Sequence, residues 1–144
     1  MATGVQVVFD CADPARLAKF WAEALHYKQQ DPPKGFDSWP AFLEAQGVPP
    51  SEWNSANAIV DPDGKGPRIY FQRVPEGKVV KNRVHLDLNV GGGPGTPVEQ
   101  RKTRVDAEAE RLVRLGAKRV RPFEERGEYW MAMLDPEGNE FDIQ

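Results

Sequence analysis

The chain has 144 residues, of which 40% are hydrophobic and 28% are charged, and its net charge is −3. This balance is typical of a folded domain and excludes a disordered chain. Basic residues are interleaved with acidic ones, so the concentrated basic face that nucleic-acid binding needs is missing. No apolar run reaches the ~18 residues of a membrane span, the N-terminus lacks the layout of a signal peptide, and Cys11 is the only cysteine. We therefore predict one cytoplasmic domain that binds neither nucleic acid nor a membrane.

The first half of the chain begins with a strand over residues 4–11, in which apolar residues occupy alternate positions. A helix follows, because Asp13 is a typical N-cap, Pro14 suits the first helical position, and apolar residues then recur at steps of three and four. The rest of this half is predicted to contain a loop with a short helical turn over 28–55, and strands over 56–61 and 67–74.

The second half repeats this order. Residues 83–90 alternate between apolar and polar side chains, and a glycine-rich connection leads to a helix at about 103–115. Thr103 and Asp106 have the spacing of a capping box, with Asp in place of the usual Glu, and this predicts the helix start. Strands are then predicted over 118–124, 128–134 and 139–143.

The two halves can be aligned as an internal repeat, because strand, helix, a turn of the form Asp-Pro-x-Gly and strand recur in the same order. The turns lie at 61–64 and 135–138. The repeat predicts an α+β fold with eight main strands and two helices. Two βαβββ modules, at about 4–74 and 83–144, would form a cup-shaped mixed sheet with the helices outside. We expect residues 1–144 to make a single domain.

Polar side chains share the face opposite the helix on four of the predicted strands. They are Gln6, Asp10, Tyr70, Gln72, His85, Asp87, Asn89, Glu140 and Asp142. A solvent-facing antiparallel sheet would also carry polar residues, but such a surface is usually rich in Lys, Glu and Thr. We favour the hypothesis that these residues line the cup, and that Trp130 on strand 128–134 joins them. The predicted ligand-binding residues are Gln6, Asp10, Tyr70, Gln72, His85 and Trp130.

Three segments of the sequence carry a resemblance to a known family: VVFDCADPARLAKFWAEALHY, FQRVPEGKVVKNRVHLDLNV and GEYWMAMLDPEGNEFDIQ. They resemble the glyoxalase-like branch of the vicinal oxygen chelate superfamily, which includes glyoxalase I, extradiol dioxygenases and the bleomycin and fosfomycin resistance proteins. The resemblance covers nearly the whole chain. It implies the fold and a homodimer, but a fold shared by so many activities does not identify one.

The resemblance also implies a metal site with one residue from each of four equivalent strands, here Gln6, Tyr70, His85 and Asp142. His85 and Asp142 are good ligands. Gln6 offers only a neutral carbonyl oxygen, and Tyr70 would have to lose a proton whose ordinary pKa is ~10. We therefore predict weak binding of a divalent metal such as Zn, Ni, Fe or Mn, with His85, Asp142 and Gln6 as ligands.

Two functions remain open at this point. The chain is either a lyase, isomerase or dioxygenase that acts on a small oxygenated metabolite through a metal, or a non-catalytic protein that binds and sequesters a drug or metabolite. For the enzyme, the candidate catalytic residues are Tyr70, His85, Asp87 and Glu140. The incomplete set of metal ligands favours metal-independent action. In both cases the expected partner is a small molecule.

Overall fold

The structure is a computed structural model that describes all residues from Met1 to Gln144. It divides into two compact units, Met1–Gly77 and Lys78–Gln144, which we call the first and second module. Each module contains one four-stranded mixed sheet. None of the helices combines the length and the apolar character that crossing a membrane requires.

The first module contains four strands, two α-helices and one short 3-10 helix. In chain order these are β1 (Val7–Cys11), α1 (Pro14–Leu25), β2 (Lys28–Gln29), α2 (Trp39–Ala45), the 3-10 helix (Pro50–Glu52), β3 (Ala56–Val60) and β4 (Ile69–Arg73). The strands lie in the order β1-β4-β3-β2. The β1–β4 pair is parallel, and the other two pairs are antiparallel.

The second module has the same plan. Its elements are β5 (Leu86–Leu88), α3 (Val98–Arg114), β6 (Lys118–Glu125), β7 (Glu128–Leu134) and β8 (Glu140–Ile143). The strand order is β5-β8-β7-β6, with β5 parallel to β8 and the remaining pairs antiparallel. The strand order and the strand directions of the second module therefore match those of the first module, strand for strand. The predicted α+β fold of two βαβββ modules is confirmed.

The core of the first module lies between α1 and the sheet. The helix begins as predicted, because the Asp13 carboxylate accepts a hydrogen bond of 3.2 Å from the Arg16 N–H and Pro14 occupies the first turn. Its apolar stripe carries Trp21, which is 1% exposed and whose ring centroid lies 5.3 Å from that of Phe9 on β1. The Phe9 ring in turn stacks on Phe71 of β4 at 5.4 Å.

The core of the second module lies between α3 and its own sheet. Three residues of α3 on one stripe, Val105, Ala109 and Leu112, are fully buried. Burial alternates along β7, where Met131 and Met133 are buried and the residues between them are half-buried. The opposite face of this sheet is therefore left for polar and aromatic side chains, and the candidate site lies there.

Two details of the helices differ from the predictions. First, α3 begins at Val98 after Pro97, well before residue 103, and the predicted capping box is wrong. Thr103 lies inside the helix, where its hydroxyl donates to the Glu99 carbonyl oxygen at 2.9 Å. The early turns of α3 carry few apolar residues, so the apolar period on which the prediction rested begins only after the helix has started.

Second, the structure has three α-helices instead of two. The additional helix, α2, lies inside the stretch predicted as loop with a helical turn. It is capped by Ser38, whose hydroxyl accepts from the Ala41 N–H at 3.2 Å. The short strand β2 lies in the same stretch. Strand β5 is also shorter than the predicted 83–90, because its pairing with β8 covers only Leu86–Leu88.

The repeated turn motif has a structural reason, since its aspartate organises the turn in both modules. Asp135 is 1% exposed, and its carboxylate accepts from the N–H groups of Glu137 and Asn139 at 2.9 and 3.0 Å. Asp61 does the same for the N–H groups of Asp63 and Gly66 at 2.9 and 2.7 Å. These hydrogen bonds hold the pKa of Asp61 below its ordinary value.

We expect Asp135→Ala to lower the free energy of unfolding by about 2–3 kcal/mol, because it leaves partly buried N–H groups without acceptors. Urea denaturation followed by circular dichroism measures the change. Asp61→Ala is the matched control at the equivalent turn, and its loss is expected to be smaller because Asp61 is more exposed. Equal losses at the two turns would contradict this explanation.

A buried tyrosine makes stability depend on alkaline pH. Tyr129 donates to an Asp106 carboxylate oxygen at 2.6 Å, and burial followed by this carboxylate raises its pKa to about 12. In the unfolded chain the tyrosine has its ordinary pKa of ~10. The folded state therefore retains the proton between these values, and stability falls as the pH rises from about 10 to 12. Comparing urea unfolding at pH 9 and pH 11 should show this loss in the native protein, and a much smaller one in Tyr129→Phe.

Candidate functional site

Three ligand-type side chains meet on the second module. The Nε2 atom of His85 lies 3.3 Å from an Asp87 carboxylate oxygen and 3.5 Å from an Asp142 carboxylate oxygen. One ligand atom from each residue lies within 4.8 Å of the other two. The His85 side chain is 40% exposed and that of Asp142 25%, so the cluster is open to solvent on one side.

Strand pairing explains why these three residues meet. Asp87 of β5 and Asp142 of β8 are direct partners in the parallel register. His85 precedes Asp87 by two positions, and side chains two apart along an extended chain point to the same face. Leu88 and Ile143, which alternate with the acidic residues, are buried on the opposite face. The pattern of the sequence and the register of the sheet therefore fix the cluster together.

The electrostatics of the cluster favour a cation. Burial raises the pKa of Asp142 above its ordinary value, and the neighbouring Asp87 carboxylate raises it further. The positive charges of His85 and Lys81 act in the opposite direction. Two adjacent carboxylates repel each other unless a positive charge lies between them, and either a protonated imidazole or a metal ion provides it.

The donor set fits a divalent metal. Bonds of about 2.1 Å at tetrahedral angles would separate neighbouring ligand atoms by about 3.4 Å. The two distances from His85 Nε2, 3.3 and 3.5 Å, are close to that value. One imidazole and two carboxylates suit Zn²⁺, Mn²⁺ or Fe²⁺. The candidate ligand set of the second module is therefore His85, Asp87 and Asp142. It includes Asp87, which was predicted as a candidate catalytic residue, in place of Gln6.

Glu140, a candidate catalytic residue, has a different environment. Its carboxylate accepts from the Asn82 N–H at 2.9 Å and forms an ion pair with Lys78 at 3.1 Å. Although burial alone would raise its pKa, these contacts bring the pKa below the ordinary value. Glu140 thus attaches residues 78–82 to β8, which is a structural role, and its predicted catalytic role stays a prediction.

An aromatic pair lies on the same sheet face as the cluster. Trp130 of β7 stacks on Phe123 of β6 with centroids 5.1 Å apart and planes inclined by 5°, and the Arg121 guanidinium lies 4.3 Å from the Phe123 centroid. Ala132, two residues after Trp130, is the direct partner of Asp142. A small side chain thus lies between the acidic cluster and the aromatic pair.

In the first module, Gln6 and Tyr70 lie beside an arginine. Arg68 donates to the Gln6 side-chain oxygen at 2.8 Å and to the Gln30 side-chain oxygen at 2.6 Å. Its guanidinium carbon lies 5.3 Å from the centroid of the Tyr70 ring. The oxygen of Gln6 that was predicted as a metal ligand therefore accepts a hydrogen bond from a cation.

Asp10 and Gln72 form a pair that the second module repeats. The Gln72 amide donates to the Asp10 carboxylate at 2.7 Å, and Gln144 donates to the Asn89 oxygen at 3.0 Å at the equivalent place. In both modules the pair joins the two parallel strands. This repetition indicates a structural role, and ligand binding by Asp10 and Gln72 stays a prediction.

The predicted convergence of Gln6 and Tyr70 with His85 and Asp142 also stays a prediction. Sequence reasoning did not select Arg68, although it lies two and four positions before Tyr70 and Gln72 on a strand-like segment. That period-two spacing places Arg68 on the same strand face as Tyr70 and Gln72, and it was the signal that could have identified Arg68 as a candidate. The same spacing places His85 and Asp87 on one face, whereas the four-strand comparison did not include Asp87 among the predicted metal ligands.

Residues 6–144 match the family model described as a glyoxalase-like domain. No curated protein of described function matches the sequence.

Three solved structures illustrate the fold. A glyoxalase/bleomycin resistance protein/dioxygenase family enzyme from Burkholderia phytofirmans PsJN is 17% identical, with 96% of this chain and 94% of that chain covered and a TM-score of 0.61. A second structure is that of a FosX fosfomycin resistance protein variant from Listeria monocytogenes, complexed with Mn(II) and 1S,2S-dihydroxypropylphosphonic acid. It is 13% identical, with 100% of this chain and 90% of that chain covered and a TM-score of 0.61. A third structure is that of the bleomycin-binding protein from Streptomyces verticillus, complexed with copper(II)-bleomycin. It is 14% identical, with 100% of this chain and 96% of that chain covered and a TM-score of 0.54. At these identities the likeness extends to the fold alone.

Proposed function

Since the chain belongs to the family of glyoxalase-like domains, we propose that it is a divalent-metal-dependent enzyme, a lyase, isomerase or dioxygenase that acts on a small oxygenated metabolite. The ligands are His85, Asp87 and Asp142. The observation that carries the proposal is the position of Asp87, which adds a second carboxylate within 3.3 Å of the His85 Nε2 atom. Gln6 is not needed as a ligand in this arrangement.

Three protein ligands are the number that catalytic metal sites commonly use, because the remaining positions stay open for water or substrate. When bound, the metal supplies Lewis-acid chemistry and a template for two neighbouring oxygens of the ligand. Exposure of the His85 and Asp87 side chains, at 40% and 41%, gives a small molecule access to that side. The relative that was solved with Mn(II) supports the choice of a divalent ion.

The rest of the sheet face offers a surface for the body of the ligand. Ala132 leaves space beside Asp142, and the half-buried Trp130 presents an indole ring held by Phe123. An apolar or conjugated part of the ligand would lie against this ring while its oxygens face the metal. We propose Trp130 as the ligand-binding residue of this module.

A second candidate function is non-catalytic binding of a drug or metabolite. The specific observation in its favour is the stacked pair of Phe123 and Trp130, because a rigid aromatic surface binds a flat molecule without any metal. The relative that binds copper(II)-bleomycin is a precedent for this function in the fold.

Homodimer formation and a cytoplasmic location stay predictions, and sedimentation equilibrium tests the first of them.

Water-proton relaxation in the presence of Mn²⁺ tests the proposal. A bound Mn²⁺ with three protein ligands keeps exchangeable waters, so we expect relaxation to be enhanced when the native protein is added. Oxalate, a probe with two neighbouring oxygens, should then displace water and reduce the enhancement. Asp87→Asn should lose the enhancement, and Asp10→Asn, which changes a carboxylate of the first module, is the matched control and should retain it. An absence of enhancement, or an enhancement that oxalate leaves unchanged, would contradict the proposed open metal site.

A further inference from the structure

We propose that Arg68 forms an oxyanion-binding site in the first module, and that its ligand carries a carboxylate or a phosphate group. Nothing in this proposal depends on the metal site of the second module. The observation behind it is an arginine that two neutral amides fix in position and that forms no ion pair with any acidic residue.

The guanidinium of Arg68 is held on two sides. Its Nε–H donates to the Gln30 side chain at 2.6 Å, and an N–H of Nη1 donates to the Gln6 side chain at 2.8 Å. The Tyr70 ring lies beneath it, with 5.3 Å between the guanidinium carbon and the ring centroid. Side-chain entropy that a flexible arginine would lose on binding an anion is therefore already lost in the free protein.

The charge of Arg68 is left without compensation. Some other arginines of the chain pair with acids, as Arg73 does with Glu52 at 3.2 Å and Arg111 does with Glu108 at 2.6 Å. The other arginines that have no acidic partner are exposed, whereas Arg68 is half-buried. Arg68 has only the oxygens of two amides as partners, and these are neutral. A half-buried cation in this state attracts an anion more strongly than one that already has a carboxylate beside it.

The donors that remain define the ligand class. A guanidinium has five N–H groups, and the two amides use two of them, so three are left, including both on Nη2. Such a planar group binds carboxylate and phosphate oxygens through paired hydrogen bonds. The hydroxyl of Tyr70 is a further donor, since the structure gives it no protein partner. A small anion beside Arg68 would thus find charge and several N–H or O–H donors.

The residue type at position 6 supports an anion-binding role for Arg68. A carboxylate at residue 6 would hold the guanidinium equally well and would neutralise it. A glutamine preserves the geometry and leaves the charge for a ligand. The same argument applies to Gln30 on the other side of Arg68.

The test follows the Arg68 Nε–H signal by ¹⁵N nuclear magnetic resonance at constant ionic strength, on protein and buffers passed over a chelating resin so that no metal takes part and no soluble chelator competes for the site. Inorganic phosphate and benzoate are the two probes, and they distinguish a phosphate from a carboxylate ligand. We expect a saturable shift of this signal with at least one of them. In Arg68→Gln, where that signal is lost, amide signals of β4 report binding, and affinity should fall by at least about tenfold because a charge-assisted hydrogen bond is removed.

Gln6→Glu is the sharper variant, because it retains the position of the guanidinium and supplies an internal carboxylate. Its Arg68 Nε–H signal should persist, while affinity for the anion falls by at least about tenfold. Arg73→Gln, at an exposed arginine that already has an acidic partner, is the control and should bind like the native protein. Failure of both probes to shift the signal, or equal affinity in Gln6→Glu and the native protein, would overturn the proposal. Because the metal is absent throughout, these results are independent of the fate of the metal site.

Discussion

Asp87→Asn is expected to weaken Zn²⁺ binding by about 100-fold or more, as measured by isothermal titration calorimetry at pH 7.5. Loss of a residue that merely orients a metal ligand costs about 10–100-fold in affinity, and we propose Asp87 as a ligand itself. Its carboxylate lies 3.3 Å from His85 Nε2 and belongs to the residue paired with Asp142 in the sheet. Asparagine has nearly the same shape and removes only the charge, so the fold of β5 should be unchanged.

Gln6→Ala separates this ligand set from the one expected by comparison with the superfamily. The Gln6 oxygen already accepts from Arg68, so its loss should leave Zn²⁺ affinity within about threefold of the native value. His85→Ala should behave like Asp87→Asn. If instead Gln6→Ala weakened binding strongly and Asp87→Asn did not, the ligands would be those inferred from the resemblance, and our placement of Asp87 would be wrong.

Trp21→Ala is expected to lower the free energy of unfolding by about 3–5 kcal/mol, since it leaves a cavity in the first module. Trp21 is 1% exposed, and its ring lies 5.3 Å from both Phe9 and Phe20. Urea denaturation, with the midpoint followed by far-ultraviolet circular dichroism, measures the loss. This is the largest effect on stability that we expect from a single substitution.

Trp130→Ala is the control of equal size change. Trp130 is only half-buried and lies on the sheet face away from α3, so the expected loss is at most about half of that for Trp21→Ala. A similar loss for the two tryptophans would mean that the face bearing Trp130 is part of a core. That outcome would also weaken the argument that this face receives a ligand.

The fold was predictable because its signals are local and repeat. Three of these signals depend only on neighbouring residues. They are the alternation of apolar residues along 4–11, the N-cap Asp13 and the two Asp-Pro-x-Gly turns. Their recurrence in the same order then defined two equal modules. The start of α3 at Val98 was not predictable in this way, because the residues that begin the helix are polar and carry no apolar period.

The site was predictable only in part, because its contacts join distant residues. The resemblance predicted His85 and Asp142 as metal ligands, which stays a prediction. The position of Asp87 beside them depends on the register of β5 against β8, which the sequence does not specify. Arg68 illustrates the same limit. Its position depends on Gln6 and Gln30, which are 62 and 38 residues away along the chain.

The most direct test of the central claim is anomalous scattering from crystals of the native protein grown with Zn²⁺, measured on both sides of the zinc absorption edge. We predict one strong anomalous peak at the second module, about 2.0–2.2 Å from His85 Nε2 and from one oxygen each of Asp87 and Asp142. A crystal with no ordered zinc at these residues, or with zinc bound by His85 while both carboxylates point elsewhere, would contradict the account.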